Sequence, residues 1–148
     1  MSIGADLHRF VTAQDDGGTY ARALAELRAG RKVTHWMWFV FPQVAGLGHS
    51  ATAQYFALES LAEARAYLAH DVLGPRLLES ATALTELTGR SAPVVFGDVD
   101  AVKLRSSMTL FLHADSAEPV FAVVLAKFFD GAEDPATVAI LEEQSSGR

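Results

Sequence analysis

The sequence predicts a mainly α protein, a compact multihelical single domain of about eight short helices. Three observations predict it. The apolar residues recur with a 3.6-residue period better than they alternate. Glycine and proline punctuate the chain so that connections run to about 2–8 residues. Half of the 148 residues are hydrophobic and 20% are charged, a globular composition that can close a core. At least half the residues are therefore expected to be helical, within a body spanning about 6–142 and a frayed tail.

The elements follow in order. Asp6 caps a first helix in which Leu7, Phe10 and Val11 share a face. Asp15-Asp16-Gly17-Gly18 breaks it. Tyr20, Leu24 and Leu27 form the stripe of a second helix, stopped by Gly30. Thr34 is placed to cap a short helix over the aromatic stretch up to Pro42. A buried strand competes there, because Trp, Phe and Val favour strands, but no second strand is available to pair with it.

Val44–Ser50 reads as a loop, and a short helix follows over Ala51–Ala57. Ser60 and Glu63 form a capping box that opens a helix with Leu61, Ala64 and Leu68 on one face. Gly74-Pro75 starts the next, with Leu77, Ala81, Leu84 and Leu87 inward and Gly89 as its stop. Ser91-Ala92-Pro93 begins a short turn closing at Gly97. Asp98 or Asp100 then caps a helix to about His113, with Leu104, Met108, Phe111 and Leu112 inward. Glu118–Phe129 is the most apolar helix. Asp134-Pro135 starts a last helix to about Glu142, ahead of the Gln144–Arg148 tail.

The formal net charge of −6 argues against non-specific binding to nucleic acid or to an anionic membrane. With no cysteine, disulfides, thiolate metal sites and a Cys nucleophile are excluded together. Met1–Asp6 has neither the basic region nor the apolar run of a signal peptide, and no stretch approaches the roughly 20 apolar residues of a membrane span. The expectation is a soluble, cytoplasmic protein, monomer or homodimer. The histidines at 8, 35, 49, 70 and 113 lack ligand spacing, so neither a metal nor a cofactor is expected.

Chemistry concentrates in two stretches. His35-Trp36-Met37-Trp38-Phe39-Val40-Phe41-Pro42-Gln43 holds both tryptophans. Each large aromatic ring buries roughly 150–250 Å². His35, whose ordinary pKa lies near neutrality, is the candidate for proton transfer. Trp36 is a candidate stacking wall, Gln43 a polar contact, and Arg31 and Lys32 candidate rim cations. Against these stand plainer readings: a hydrogen-bonded structural histidine, and aromatics that are simply core.

The second stretch is Lys103-Leu104-Arg105-Ser106-Ser107-Met108-Thr109. On a helix, Lys103, Ser106 and Ser107 share a strip, while Arg105 and Thr109 lie on the other flank. Lysine beside two hydroxyls has the parts of an anion cradle, or of an activated serine, with Lys103 and Ser107 catalytic and Arg105 and Ser106 ligand-binding. The plainer alternative is a helix surface with snorkelling cations.

His35–Gln43, read with Gly46-Leu47-Gly48, Leu73–Leu77 and Lys103–Phe111, resembles the bacterial family catalogued as domain of unknown function 1810. The resemblance runs from about Asp6 to Leu141. It implies a compact, mostly helical domain, favours helix for the aromatic stretch, and implies no activity or catalytic residues. Some family members carry the label calpastatin; that inhibitor is disordered and repetitive, and this chain is neither. The resulting expectation is a protein that binds, or processes, a small anionic, nucleotide-like metabolite between the His35–Gln43 and Lys103–Thr109 segments. The alternative is a non-enzymatic protein–protein interaction module.

Overall fold

The computed structural model describes residues 7–146; the Asp6 cap and the Met1–Asp6 leader reading lie outside them. The helices are α1 (His8–Asp15), α2 (Thr19–Ala29), α3 (Met37–Val40), α4 (Ala51–Phe56), α5 (Leu61–Ala69), α6 (Leu73–Thr85), α7 (Ala92–Ala114), α8 (Val120–Phe129) and α9 (Pro135–Ser146). A 3₁₀ turn, Asp16–Gly18, joins α1 to α2, and Gly17 and Gly18 both take positive φ there. Among the described residues β structure is limited to one isolated parallel bridge, Val44 to Leu58. The protein is mainly α. None of the described helices is long and apolar enough to cross a membrane.

Helix α7 is the spine. It packs on α8, α5 and α9, while α6 packs on α8, α5 and α2, and α1 lies against α2 and α3. Leu104, Met108, Leu110 and Phe111 are buried where α7 meets these partners. Gly74 allows α5 and α6 to approach closely: a Cβ there would sit 2.1 Å from the Leu68 carbonyl oxygen. Gly97 breaks the regularity of α7, with φ 80° and ψ 164°. The short turn expected up to Gly97 and the helix after it are thus two arms of one kinked element. Ser91 caps the first arm by accepting from Val94 N.

Several ends differ from expectation for local reasons. The Ser60 hydroxyl accepts from Glu63 N, but the Glu63 carboxylate reaches back to Glu59 N, one residue beyond the usual box. Helix α6 stops at Thr85, ahead of Gly89, and Lys127 of α8 donates to the Thr85 and Leu87 carbonyls just past its end. Helix α9 continues to Ser146, so Gln144 to Ser146 are helical; Gln144 donates to the Glu59 carbonyl, which ties that end to the α4–α5 connection.

The aromatic stretch is helical for only four residues, too short to hold itself. Its neighbours hold it. Trp36, Phe41 and Phe96 form a triangle of rings with centroids 6.3–6.5 Å apart. The Phe39 carbonyl accepts from Gln14 Nε2 at 2.7 Å and from the Tyr67 hydroxyl at 3.3 Å. Burial pushes the Tyr67 phenol above its ordinary range, so it remains a neutral donor.

On the other side, Glu26 of α2 gathers the loop that leads into α3. Its Oε1 accepts from Val33 N, Thr34 N and Trp36 Nε1 at 2.8–3.0 Å, and its Oε2 from the Thr34 hydroxyl at 2.7 Å. Thr34 is therefore not the cap expected of it. Its side chain points back to α2, and Trp36 occupies the N-cap position with no side-chain cap bond.

Burial alone would raise the Glu26 pKa, but the four donors outweigh it and hold the carboxyl down at about 2, against an ordinary 4.5. A depressed folded-state pKa contributes stability above pH 4.5 that is lost as pH falls through 4.5 towards 2. At neutral pH this contribution is on the order of 2 kcal/mol after allowance for solvent contact. Glu26→Gln should lower stability at pH 7 by that order and flatten the pH dependence between 4.5 and 2. Urea unfolding of both proteins across this range checks it; parallel acid limbs would contradict the assignment.

Candidate functional site

The two polar stretches converge beside the kink of α7. Lys32 Nζ lies 3.0 Å from Asp100 Oδ2, and Lys103 Nζ lies 3.4 Å from Asp100 Oδ1. Each ammonium also sits over an indole, Lys32 over Trp36 at 5.2 Å and Lys103 over Trp38 at 4.9 Å. One carboxylate thus holds two lysines, leaving a formal surplus of one positive charge. Lys32 is 8% exposed and Lys103 22%, so the surplus is accessible at Lys103. Asp100, read from sequence as a helix cap, is instead the centre of this cluster.

Lys103 faces a groove of about 400 Å³. Its polar edge is formed by Gln43, Lys103, Ser106 and Asp134. Its walls are aliphatic: Leu47, Val99, Val102 and Ala136, with Gly48 at the rim. The volume falls within the range of small-molecule sites, roughly 300–1,000 Å³. A larger hollow of about 940 Å³ lies between α1 and the Tyr55–Phe56 end of α4; none of the candidate residues lines it.

Three of the candidate residues therefore line one groove: Gln43, Lys103 and Ser106. Ser106 is already engaged, donating at 3.1 Å to both the Val102 carbonyl and Asp134 Oδ2. The remaining candidates lie elsewhere. His35, the candidate for proton transfer, is exposed and does not line the groove. Trp36 is fully buried with its indole N–H on Glu26, so it offers no face for stacking. Arg31 is exposed outside the groove, and the Lys32 side chain, 8% exposed on Asp100, does not line it.

Arg105 holds a loop. Its Nε donates to the Ala132 carbonyl and its Nη2 to that of Glu133, both at 2.8 Å. One turn on, the Thr109 hydroxyl accepts from Asp134 N at 2.9 Å, and a further turn on, His113 Nε2 meets the Glu133 carboxylate at 2.6 Å. Residues 105, 109 and 113 recur every four positions on one side of α7 and clamp the 132–134 loop. That clamp presents Asp134, whose Oδ2 accepts from Thr137 N and the Thr137 hydroxyl as the cap of α9.

Ser107 is fully buried, and its hydroxyl is the one buried side-chain polar atom among the described residues with no hydrogen-bond partner. A serine nucleophile needs a base within hydrogen-bond reach, and Ser107 has none. Among the described residues no group of three or more His, Asp or Glu side chains could hold a metal ion.

The sequence pattern does not single out Glu26 or the aliphatic walls of the groove. Glu26 sits beside the core-facing Leu27 as an ordinary helix glutamate, and no spacing marks it. Leu47, Val99 and Val102 come from a loop and a helix whose juxtaposition depends on the kink.

The family model described as "Protein of unknown function (DUF1810)" matches residues 4–141. The chain belongs to that family. Among solved structures it is similar to the conserved hypothetical protein Rv1873 from Mycobacterium tuberculosis. The two share 52% identity over 93% of this chain and 96% of that one, with a TM-score of 0.90. No curated protein matches it. The helical architecture expected from the resemblance is the one observed.

The two serines differ in what their hydroxyls hold. Removing an unpartnered buried hydroxyl should be nearly neutral or slightly stabilising, whereas Ser106→Ala should cost roughly 1–2 kcal/mol by taking a donor from Asp134. Thermal unfolding of Ser107→Ala and Ser106→Ala measures both; a large loss for Ser107→Ala would mean that its hydroxyl has a partner.

Proposed function

We propose that this protein binds a small anionic metabolite in the groove between the Gln43 end of the aromatic segment and the first turns of α7 beyond the kink. The observation that carries the reading is the surplus positive charge of the Lys32–Asp100–Lys103 cluster, exposed at Lys103, whose side chain lines a groove with aliphatic walls and a polar edge of Gln43, Ser106 and Asp134. A half-buried ammonium flanked by apolar walls attracts an anion more strongly than one in open solvent does. No aromatic ring lines the groove, so the favoured body of the ligand is aliphatic rather than a flat base. Neither His35 nor Ser107 is positioned to act on a molecule held there, so the reading is of binding.

Lys103→Met keeps most of the apolar stem, and Asp100 retains Lys32, so folding should change little. Ligand affinity should fall by roughly 1.5–3 kcal/mol, the range for a hydrogen bond to a charged group. A thermal-shift screen of carboxylates, phosphate esters and nucleotides on wild type and Lys103→Met tests this. A binder at a hundredfold excess over its dissociation constant adds about 2.7 kcal/mol to stability. The proposal fails if no anion shifts the wild type, or if every shift survives the substitution.

A second reading, a protein-interaction module, is favoured by the exposed valines in this region. Val33, Val94, Val99 and Val102 are 59–71% exposed. Lys32 N donates to the Val95 carbonyl and so joins the first two to one surface. A stoichiometric protein partner on co-purification, lost with Val94→Asp, together with a blank ligand screen, would favour it.

A further inference from the structure

Resting on the groove reading above, we infer that Asp134 sets the specificity of the groove: the ligand brings a hydrogen-bond donor to Asp134 Oδ1 besides its anionic group, and anions without a donor are turned away. Asp134 is 8% exposed, and its three side-chain hydrogen bonds all fall on Oδ2, from Ser106, Thr137 N and the Thr137 hydroxyl. Oδ1 accepts from no described residue, and no described Lys, Arg or His pairs with the carboxylate. The Lys103 ammonium is committed elsewhere, to Asp100 and to the Trp38 ring. Among the described residues Ser107 Oγ is the one sealed side-chain polar atom without a partner, so Oδ1 is open to solvent, and Asp134 lines the groove.

Capping α9 does not require this charge. One oxygen does the capping, and asparagine or serine supplies one as well. A carboxylate so far buried, with one oxygen unmatched, is costly unless a donor reaches it. A ligand that fills the groove takes solvent away from Oδ1 and must return a donor or leave the oxygen desolvated. An anion without one adds like-charge repulsion in a confined, partly apolar space. The other polar lining residues make no such demand. Ser106 spends its hydroxyl proton on Asp134 Oδ2 and the Val102 carbonyl. The Gln43 amide can donate or accept, and Lys103 accepts nothing. Asp134 is the lining group that accepts and cannot donate. The walls of Leu47, Val99, Val102 and Ala136 suit an aliphatic body, so the ligand class is an aliphatic acid that also carries a hydroxyl or an amide N–H.

The test is calorimetric titration of the full chain with 4-methylpentanoate, which has no donor, and with its 2-hydroxy and 3-hydroxy derivatives. At least one hydroxy acid should bind the wild type about 10-fold or more tightly than the parent acid does. Asp134→Asn gives the sharper result. The three donors keep the amide oxygen at the Oδ2 position, so its NH2 group takes the place of Oδ1, and asparagine still caps the helix. The edge of the groove then donates where it accepted. The parent acid should bind the variant about 10-fold more tightly than it binds the wild type, and the advantage of the hydroxy acid should disappear. Equal affinity of the parent acid for wild type and variant overturns the inference while leaving the anion site in place. So does a wild type that binds all three acids alike, which is the deciding result if the variant does not fold. If neither protein binds any of the three, the inference fails, and the wider anion screen decides the groove reading on its own.

Discussion

The fold depends on a carboxylate that no apolar pattern reveals. Four residues of helix cannot fix the orientation of two indoles, since the nucleation cost of so short a turn is not recovered within it. Glu26 fixes the first of them, Trp36, from outside by taking two backbone N–H groups, a threonine hydroxyl and the Trp36 indole N–H on one side chain. With Trp36 pinned, the Phe41 and Phe96 rings have a fixed surface to pack on, and Lys32 has a ring to lie across. The placement of Lys32, and through it one of the two ammoniums on Asp100, follows from that anchoring.

Much of the architecture was legible because it rests on local rules. Gly30 at the end of α2, Ser60 at the start of α5 and Asp134 at the start of α9 each do what their residue type and neighbours predict. The core stripe of α7 follows from its period. The site was legible only in part. Lys103, Ser106 and Gln43 were identifiable as polar residues edging apolar runs, and they meet in the groove. Which of them is occupied internally could not be read, because Arg105 and Ser106 find partners about 28 residues further along the chain. His35 was assigned by its titration range alone, and titration range carries no information about where a ring points. Trp36 went astray through its N–H, whose acceptor lies ten residues back on another helix.

The groove is built by pairing charges unevenly. Asp100 serves two ammoniums through its two oxygens, and Asp134 receives three donors through one oxygen. Lys103 and Asp134 both line the groove. The Arg105–Thr109–His113 ladder matters here because it fixes the backbone that carries Asp134 to α7, the element that also carries Lys103. The two ends of the groove are thereby referred to one rigid rod rather than to two helices that could drift apart.

The kink at Gly97 has a consequence for how the molecule opens. A backbone at φ 80° and ψ 164° is accessible to glycine and strained for any other residue, so one residue separates the Ala92–Phe96 arm from the rod beyond it. The short arm is bonded through Val95 to Lys32 and packed through Phe96 on Trp36, whereas the rod is packed on α5 and α8. Amide protection should therefore divide at Gly97. The arm and the loop of residues 31–36 would exchange as one cooperative unit, at a lower opening free energy than the rod, and each such opening would unseat Lys32 from Asp100.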